Sequence, residues 1–174
     1  LLMLRNIRRG RRPGISGDVA VVGGGNTAVD LARSLARLGA SPVIVYRREQ
    51  IDMPAFGHEV EMALKEGVRL MTLASPSRYE KRGNRLFLTL QKMQTTEEYI
   101  HGRRRAVPVE GRFEELAVDH VFTAIGAESH PQWYLTSEDG ARKLTLPHCT
   151  ILEMSLPVAF GGALTNPVKS VTDA

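Results

Sequence analysis

Residues 21–30 read VVGGGNTAVD, and the residue types in that run suit one task. Gly23, Gly25 and Ala28 fall at the spacing G-x-G-x-x-A, with Gly24 between the glycines. A glycine at the first position permits a tight turn. One at the third lets an anion approach the backbone, and a small residue at the sixth lets the following helix lie close to its strand. The unpaired N–H groups and the positive end of that helix then face a pyrophosphate. Asn26 and Thr27 add side-chain donors at the same place. Alone, such a spacing is weak evidence of a dinucleotide site; a strand before it and a helix after it are what give it weight.

About 20 residues past the glycines lies the position that bonds a dinucleotide's ribose, usually an acid. Here the chain reads VIVYRRE, with Arg47 and Arg48 at that position. A carboxylate would repel a 2′-phosphate, whereas a guanidinium grips one through paired, charge-assisted hydrogen bonds. The expected nucleotide is therefore NADP(H). Glu49, one residue further on, keeps NAD(H) open.

The surrounding pattern supplies the elements that must position these groups. LLMLRNIRR reads as a short helix ended by Gly10 and Pro13. DVAVV (18–22) is a buried-type strand, β-branched and bounded by glycine. Ala28, Leu31, Ala32, Leu35 and Leu38 recur at helical spacing before Gly39. PVIVY (42–46) is a second buried strand, and FGHEVEMALKEG a second helix with Phe56, Val60, Ala63 and Leu64 on one face. VRLMTL (68–73) is a third strand. Strand-helix-strand-helix-strand implies a parallel sheet, the mononucleotide-binding half of a doubly wound α/β fold. RLFLTLQKM, RRAVPVE and LAVDHVFTAIG then read as an antiparallel β-meander, the last returning to the main sheet. KLTL and PVAFGGA are short strands, and NPVKSVTDA begins a helix with Asn166 as N-cap.

Composition narrows the class. Hydrophobic residues make up 43% and charged residues 24% of 174, the balance of an ordinary globular chain with a sizeable core. No apolar run approaches the roughly 18 residues of a membrane span. The N-terminal arginines follow a short apolar stretch, the reverse of a secretory signal. Cys149 is the single cysteine, which excludes an internal disulfide or thiolate cluster. A cytoplasmic location is expected. The chain starts at Leu1 and stops in KSVTDA as a helix begins, and is read as a piece of a longer polypeptide. The net charge of +4 sits largely in Arg5, Arg8, Arg9, Arg11 and Arg12 and in Arg103–Arg105. These clusters lack interleaved aromatics and any nucleic-acid-binding motif. A solvated linker helix and a hairpin tip are expected, with no nucleic-acid partner.

The run from VVGGGNTAVD through VIVYRREQIDMPAFGHEVEMALKEGV resembles the NAD(P)H domain of the glutamate synthase small (beta) subunit family, which includes the N-terminal flavoprotein part of dihydropyrimidine dehydrogenase. FTAIGAES resembles the strand where such chains cross back into an FAD domain, and VAFGGALTNPVKSVTDA the segment that touches the flavin. The resemblance implies an NAD(P)H-binding domain inserted in a discontinuous FAD domain. It divides the chain into a linker helix (1–17), an NAD(P)H-binding Rossmann domain (18–130) and a return segment of the FAD domain (131–174). It implies hydride passing from NADPH to FAD, and electrons onward through iron–sulfur clusters to a partner subunit or domain. Gly23, Gly24, Gly25, Asn26, Thr27 and Ala28 would hold the pyrophosphate, Arg47 and Arg48 the 2′-phosphate. Gly126 would let the backbone run close to the cofactor. The sequence departs from the family at Ala163, where an acid usually completes GGD. A nonenzymatic nucleotide sensor is the alternative that this departure raises.

No catalytic residue or metal ligand is expected in this chain. His58, His101, His120, His130 and His148 lack metal-ligand spacing. Asp30 is expected to favour the helix start. Glu59 and Glu61 are expected on the solvated side of the second helix, with a cofactor role for Glu59 left open. Trp133-Tyr134 suits a plug between domains, and Cys149 has no CxxC partner.

Overall fold

The computed structural model describes residues 2–11, 14–100, 102–126, 142–145, 149–153 and 158–161. The chain divides into two compact units, Leu1–Gly126 and Ala127–Ala174.

In the first unit, β1 (Asp18–Val22), β2 (Ser41–Val45), β3 (Arg69–Met71) and β7 (His120–Thr123) form one parallel sheet in the order β3-β2-β1-β7. α2 (Asn26–Arg37) links β1 to β2, and α3 (Gly57–Lys65) links β2 to β3. Between β3 and β7 the chain makes an antiparallel meander of β4 (Ala74–Arg82), β5 (Arg85–Ile100) and β6 (Arg103–Val118). The expected α/β sheet and meander are both present.

The period of two along the strands builds the layers. Val19, Val21, Ile44 and Tyr46 face one side, where they pack with Ala28, Val29, Leu31, Ala32 and Leu35 of α2 and Val60 and Ala63 of α3. Ala20, Val43 and Val45 face the other side and pack against Leu88, Leu90 and Val118 of the meander. Burying each of these valines, leucines and isoleucines contributes about 1.5–3 kcal/mol relative to leaving it exposed. The parallel sheet is thus covered on both faces, helices on one and the meander on the other. α1 (Leu2–Arg8) contributes Leu4 to the helical core.

Several local readings are corrected. β4 was not anticipated, because ASPSRYEKR is largely exposed and bulged between Pro76 and Arg78, so it carries no apolar alternation. β5 and β6 each run for 16 residues, longer than their apolar stretches, because the outer half of the hairpin buries little. Of the four residues placed on the buried face of α3, Val60 and Ala63 are buried, while Phe56 is 57% and Leu64 41% exposed. Phe56 precedes the first turn as N-cap, and this short helix meets α2 along a narrow stripe only.

In the second unit, β8 (Arg142–Thr145), β9 (Cys149–Glu153) and β10 (Val158–Gly161) pair antiparallel in the order β10-β9-β8. β8 and β10 match the expected short strands, and β9 was not anticipated. The expected helix at NPVKSVTDA and the plug at Trp133-Tyr134 lie outside the described residues.

Candidate nucleotide-binding site

The glycine run forms the turn between the carboxyl end of β1 and the start of α2. Each glycine meets a different environment. Gly23 has φ +142, and a Cβ there would lie 2.4 Å from the Ala124 carbonyl oxygen beyond β7. A Cβ on Gly24 would lie 2.5 Å from the ring of Tyr46, the residue after β2. Above Gly25 there is space: among the described residues a Cβ would meet only Pro54 Cγ, at 3.9 Å. Gly23 and Gly24 are small because protein presses on them, and Gly25 is small with nothing of the first unit in its place.

Gly25 is the N-cap of α2, in extended conformation and with no side-chain cap. Its carbonyl accepts from the N–H groups of Ala28, at 2.9 Å, and Val29, at 3.2 Å. The N–H groups of Asn26 and Thr27, in the first turn, have no intrahelical acceptor. They are the donors that a helix start offers to an anion. Ala28 is fully buried, which brings α2 close to the sheet.

Asn26 has a second task that the sequence did not disclose. Its Oδ1 accepts from the Phe56 N–H at 2.9 Å. The Ala55 N–H donates to the Gly24 carbonyl at 3.1 Å. Together these bonds tie the loop before α3 to the glycine turn. An open cleft lies beside that loop, lined in part by Ile51, Met53, Ala55 and Val60.

At the end of β2 the two arginines diverge. Arg47 is exposed. Arg48 is buried at 7% exposure, and its Nε donates to the backbone carbonyl of Arg104. Its terminal nitrogens make no hydrogen bond among the described residues. Glu49 is held by Arg104: Nη2 donates to Oε2 at 2.9 Å, and the Thr95 hydroxyl donates to Oε1 at 3.1 Å. Arg104 also forks onto Asp52, with Nε to Oδ1 at 3.2 Å and Nη2 to Oδ2 at 2.8 Å. Hydrogen bonds from Arg104 hold both carboxyls below their usual range, and the two carboxylates raise Arg104 in turn, Asp52 most. The Asp52 carbonyl accepts from the Tyr46 hydroxyl at 2.8 Å. A connected path therefore runs from the hairpin, through Arg104, Asp52 and Tyr46, to the underside of Gly24.

This corrects the reading of Arg103–Arg105 as a merely solvated tip. Arg105 does pair with Glu98 in solvent, but Arg104 is pinned. Its signal in the sequence was hidden, because its partners stand more than 50 positions away.

Glu59 also departs from expectation. It pairs with Arg33 of α2 rather than standing in solvent. Arg33, 9% exposed, bonds Glu66 as well, through Nε at 3.0 Å and Nη2 at 2.9 Å. Arg33 and then Arg37 lower the Glu66 carboxyl to about 2. This cluster holds α3 against α2. His58 is exposed and stacks on Phe56 with ring centres 5.8 Å apart. Gly126, with φ +114, has no described residue within 4 Å of where a Cβ would stand. His101, His130, His148 and Trp133 lie outside the described residues, and of β9's Cys149 only the backbone is described.

A four-stranded parallel sheet with a glycine turn at its carboxyl edge, flanked by helices, defines a Rossmann-type domain. The chain belongs to the pyridine nucleotide-disulphide oxidoreductase family, whose profile matches residues 4–145. It is 43% identical, over 98% of its length, to the beta subunit of the NADP(+)-dependent formate dehydrogenase of Moorella thermoacetica, covering 25% of that protein. It is 36% identical, over 67% of its length, to the small chain of the NADPH glutamate synthase of Escherichia coli strain K12, again covering 25% of it. The chain thus spans about a quarter of the length of these relatives, and the resemblance to the glutamate synthase small subunit is borne out. Among solved structures, Mycobacterium tuberculosis FprA in complex with NADPH matches 72% of this chain and 42% of its own, with a TM-score of 0.54 and 18% identity. That likeness concerns the fold.

Proposed function

We propose that this chain is the NADPH-binding part of a flavin-dependent oxidoreductase. The observation that carries the reading is the space above Gly25, at a helix start whose Asn26 and Thr27 N–H groups have no intrahelical acceptor. That cradle fits a pyrophosphate: it is uncapped by any side chain, a Cβ would intrude on it, and a helix start offers unpaired N–H donors to an anion. Asn26 holds the loop before α3 through its Oδ1 and turns its remaining amide toward the phosphates. Arg47, exposed at the end of β2, binds the 2′-phosphate. Arg48 adds its terminal nitrogens while its Nε stays anchored on the hairpin. Gly126 admits the nucleotide close to the backbone beyond β7.

When bound, NADPH would supply a hydride to a flavin of the full-length protein, and the electrons alone would continue, one at a time, to an iron–sulfur or other electron-acceptor subunit. This chain's part is to bind, orient and select the nucleotide. The names of two relatives, an NADP(+)-dependent formate dehydrogenase and an NADPH glutamate synthase, support the nucleotide assignment. A cytoplasmic location belongs to the same reading. Among the described residues no helix is long and apolar enough to cross a membrane.

Calorimetric titration of the chain with NADPH and with NADH tests the assignment. NADPH should bind more tightly, and Arg47→Ala should weaken it by about tenfold or more, the worth of one charge-assisted contact, while leaving NADH unchanged. Arg47→Ala is a cleaner probe than Arg48→Ala, which also removes the bond to the Arg104 carbonyl. Equal affinity for the two nucleotides, unaltered by Arg47→Ala, would remove the NADPH reading.

A further inference from the structure

The loop that follows β2 contains an acid, and a ribose-binding acid normally belongs to this part of the fold. Glu49 stands two positions after Arg47, within about 7 Å along the chain. A free carboxylate at that distance would oppose a 2′-phosphate and would offer an acceptor to the 2′-hydroxyl of NADH. In the structure Glu49, with its side chain 44% exposed, is already engaged on both oxygens. Oε2 takes the hydrogen bond from Arg104, and Oε1 takes that from Thr95. Both donors come from the meander, Thr95 from β5 and Arg104 from β6, where the two strands pair near the hairpin end.

Arg104 is built to stay in place. Its side chain is 21% exposed and forks onto Asp52, which is itself buried. A bidentate guanidinium–carboxylate pair fixes direction as well as charge. The Arg104 carbonyl meanwhile accepts from Arg48 Nε. One residue of the hairpin thus holds Arg48, Glu49 and Asp52, all within the loop after the second strand.

We propose that Arg104 is a specificity-positioning residue: anchored on the buried Asp52, it pairs with Glu49 and compensates that carboxylate's charge beside the nucleotide's ribose, so that Arg47 meets the 2′-phosphate with less opposition. The meander is then more than a cover for one face of the sheet. It completes the nucleotide-selecting loop from a distant part of the chain. The inference rests on the NADPH reading above.

The test is the ratio of NADPH to NADH affinity, measured by calorimetry on the wild-type chain, Arg104→Met, Glu49→Gln and the double variant. Arg104→Met keeps most of the apolar stem and removes the charge. It should lower the preference for NADPH by about five- to tenfold, the effect of one uncompensated carboxylate some 6 Å from a phosphate dianion in a wet site. Arg104→Lys, which keeps the charge, should retain most of the preference. In the Glu49→Gln background, Arg104→Met should change the ratio much less, since the main charge it controls is gone. A ratio unchanged by Arg104→Met overturns the inference and leaves the NADPH reading standing. A fall of the same size with and without Glu49 also overturns it, because Arg104 would then act on the phosphate directly or through the fold. If wild type shows no preference for NADPH, the functional reading falls and this inference with it. Should Arg104→Met not fold, as judged by its thermal melt, Arg104→Gln carries the same expectation.

Discussion

A methyl group added at Gly24 and one added at Gly25 meet opposite surroundings. At Gly24 it would press on the Tyr46 ring at 2.5 Å, and that ring is anchored by its hydroxyl to the Asp52 carbonyl. The ring has nowhere to go, so Gly24→Ala should cost about 1–3 kcal/mol, the usual penalty of overpacking. At Gly25 φ is −88 and the nearest atom stands at 3.9 Å. Gly25→Ala should stay within about 1 kcal/mol of wild type, the difference between glycine and alanine at an N-cap. Thermal melts of the two variants check the pair, and comparable losses would contradict this division of labour. Neighbouring glycines of one motif thus answer to different demands, and only the motif was legible in the sequence. That Tyr46 is what makes Gly24 small was not, because the contact joins two strands. Arg47 and Arg48 read as equivalents, and the fold separates them: one is exposed, while the other is buried on the hairpin.

Among the elements, α2 and α3 meet through charge as well as apolar packing. Arg33 sits near the middle of α2 and bonds Glu59 in the first turn of α3 and Glu66 at its end. The Glu66 carboxyl is held at about 2, against 4.5 for the free group. A carboxyl lowered in the folded state contributes stability above its unfolded value and loses it as pH falls toward its folded value. Urea melts should therefore show wild type losing stability relative to Glu66→Gln as pH drops from about 4.5 to about 2. Curves that keep the same separation across that window would show that Glu66 is not held by the arginines. The helices and parallel strands themselves were readable, since DVAVV and PVIVY are continuous apolar runs and α2 repeats its apolar residues at helical spacing. β4 was not, because its polar residues are held by the backbone ladder to β5 rather than by burial. The ion pairs joining α2 to α3 were equally hidden, since Arg33 and Glu66 carry no local pattern that pairs them.

At the scale of the molecule, the first unit places its glycine turn, the end of β2 and the hairpin at one edge of the parallel sheet. The α/β class, the meander and the return of β7 to the main sheet followed from pattern alone. The meander's hold on the loop after β2 required the fold, because it joins residues 48–52 to residue 104. The central claim is that the opening above Gly25 receives the pyrophosphate of NADPH. The most direct measurement is calorimetric titration of wild type and Gly25→Ala with NADPH, each first shown by its melt to be folded. The account predicts measurable binding by wild type and a loss of at least tenfold in Gly25→Ala, the factor that about 1.4 kcal/mol represents. Unchanged affinity in a folded Gly25→Ala protein would mean that no phosphate approaches that backbone, and would contradict the account.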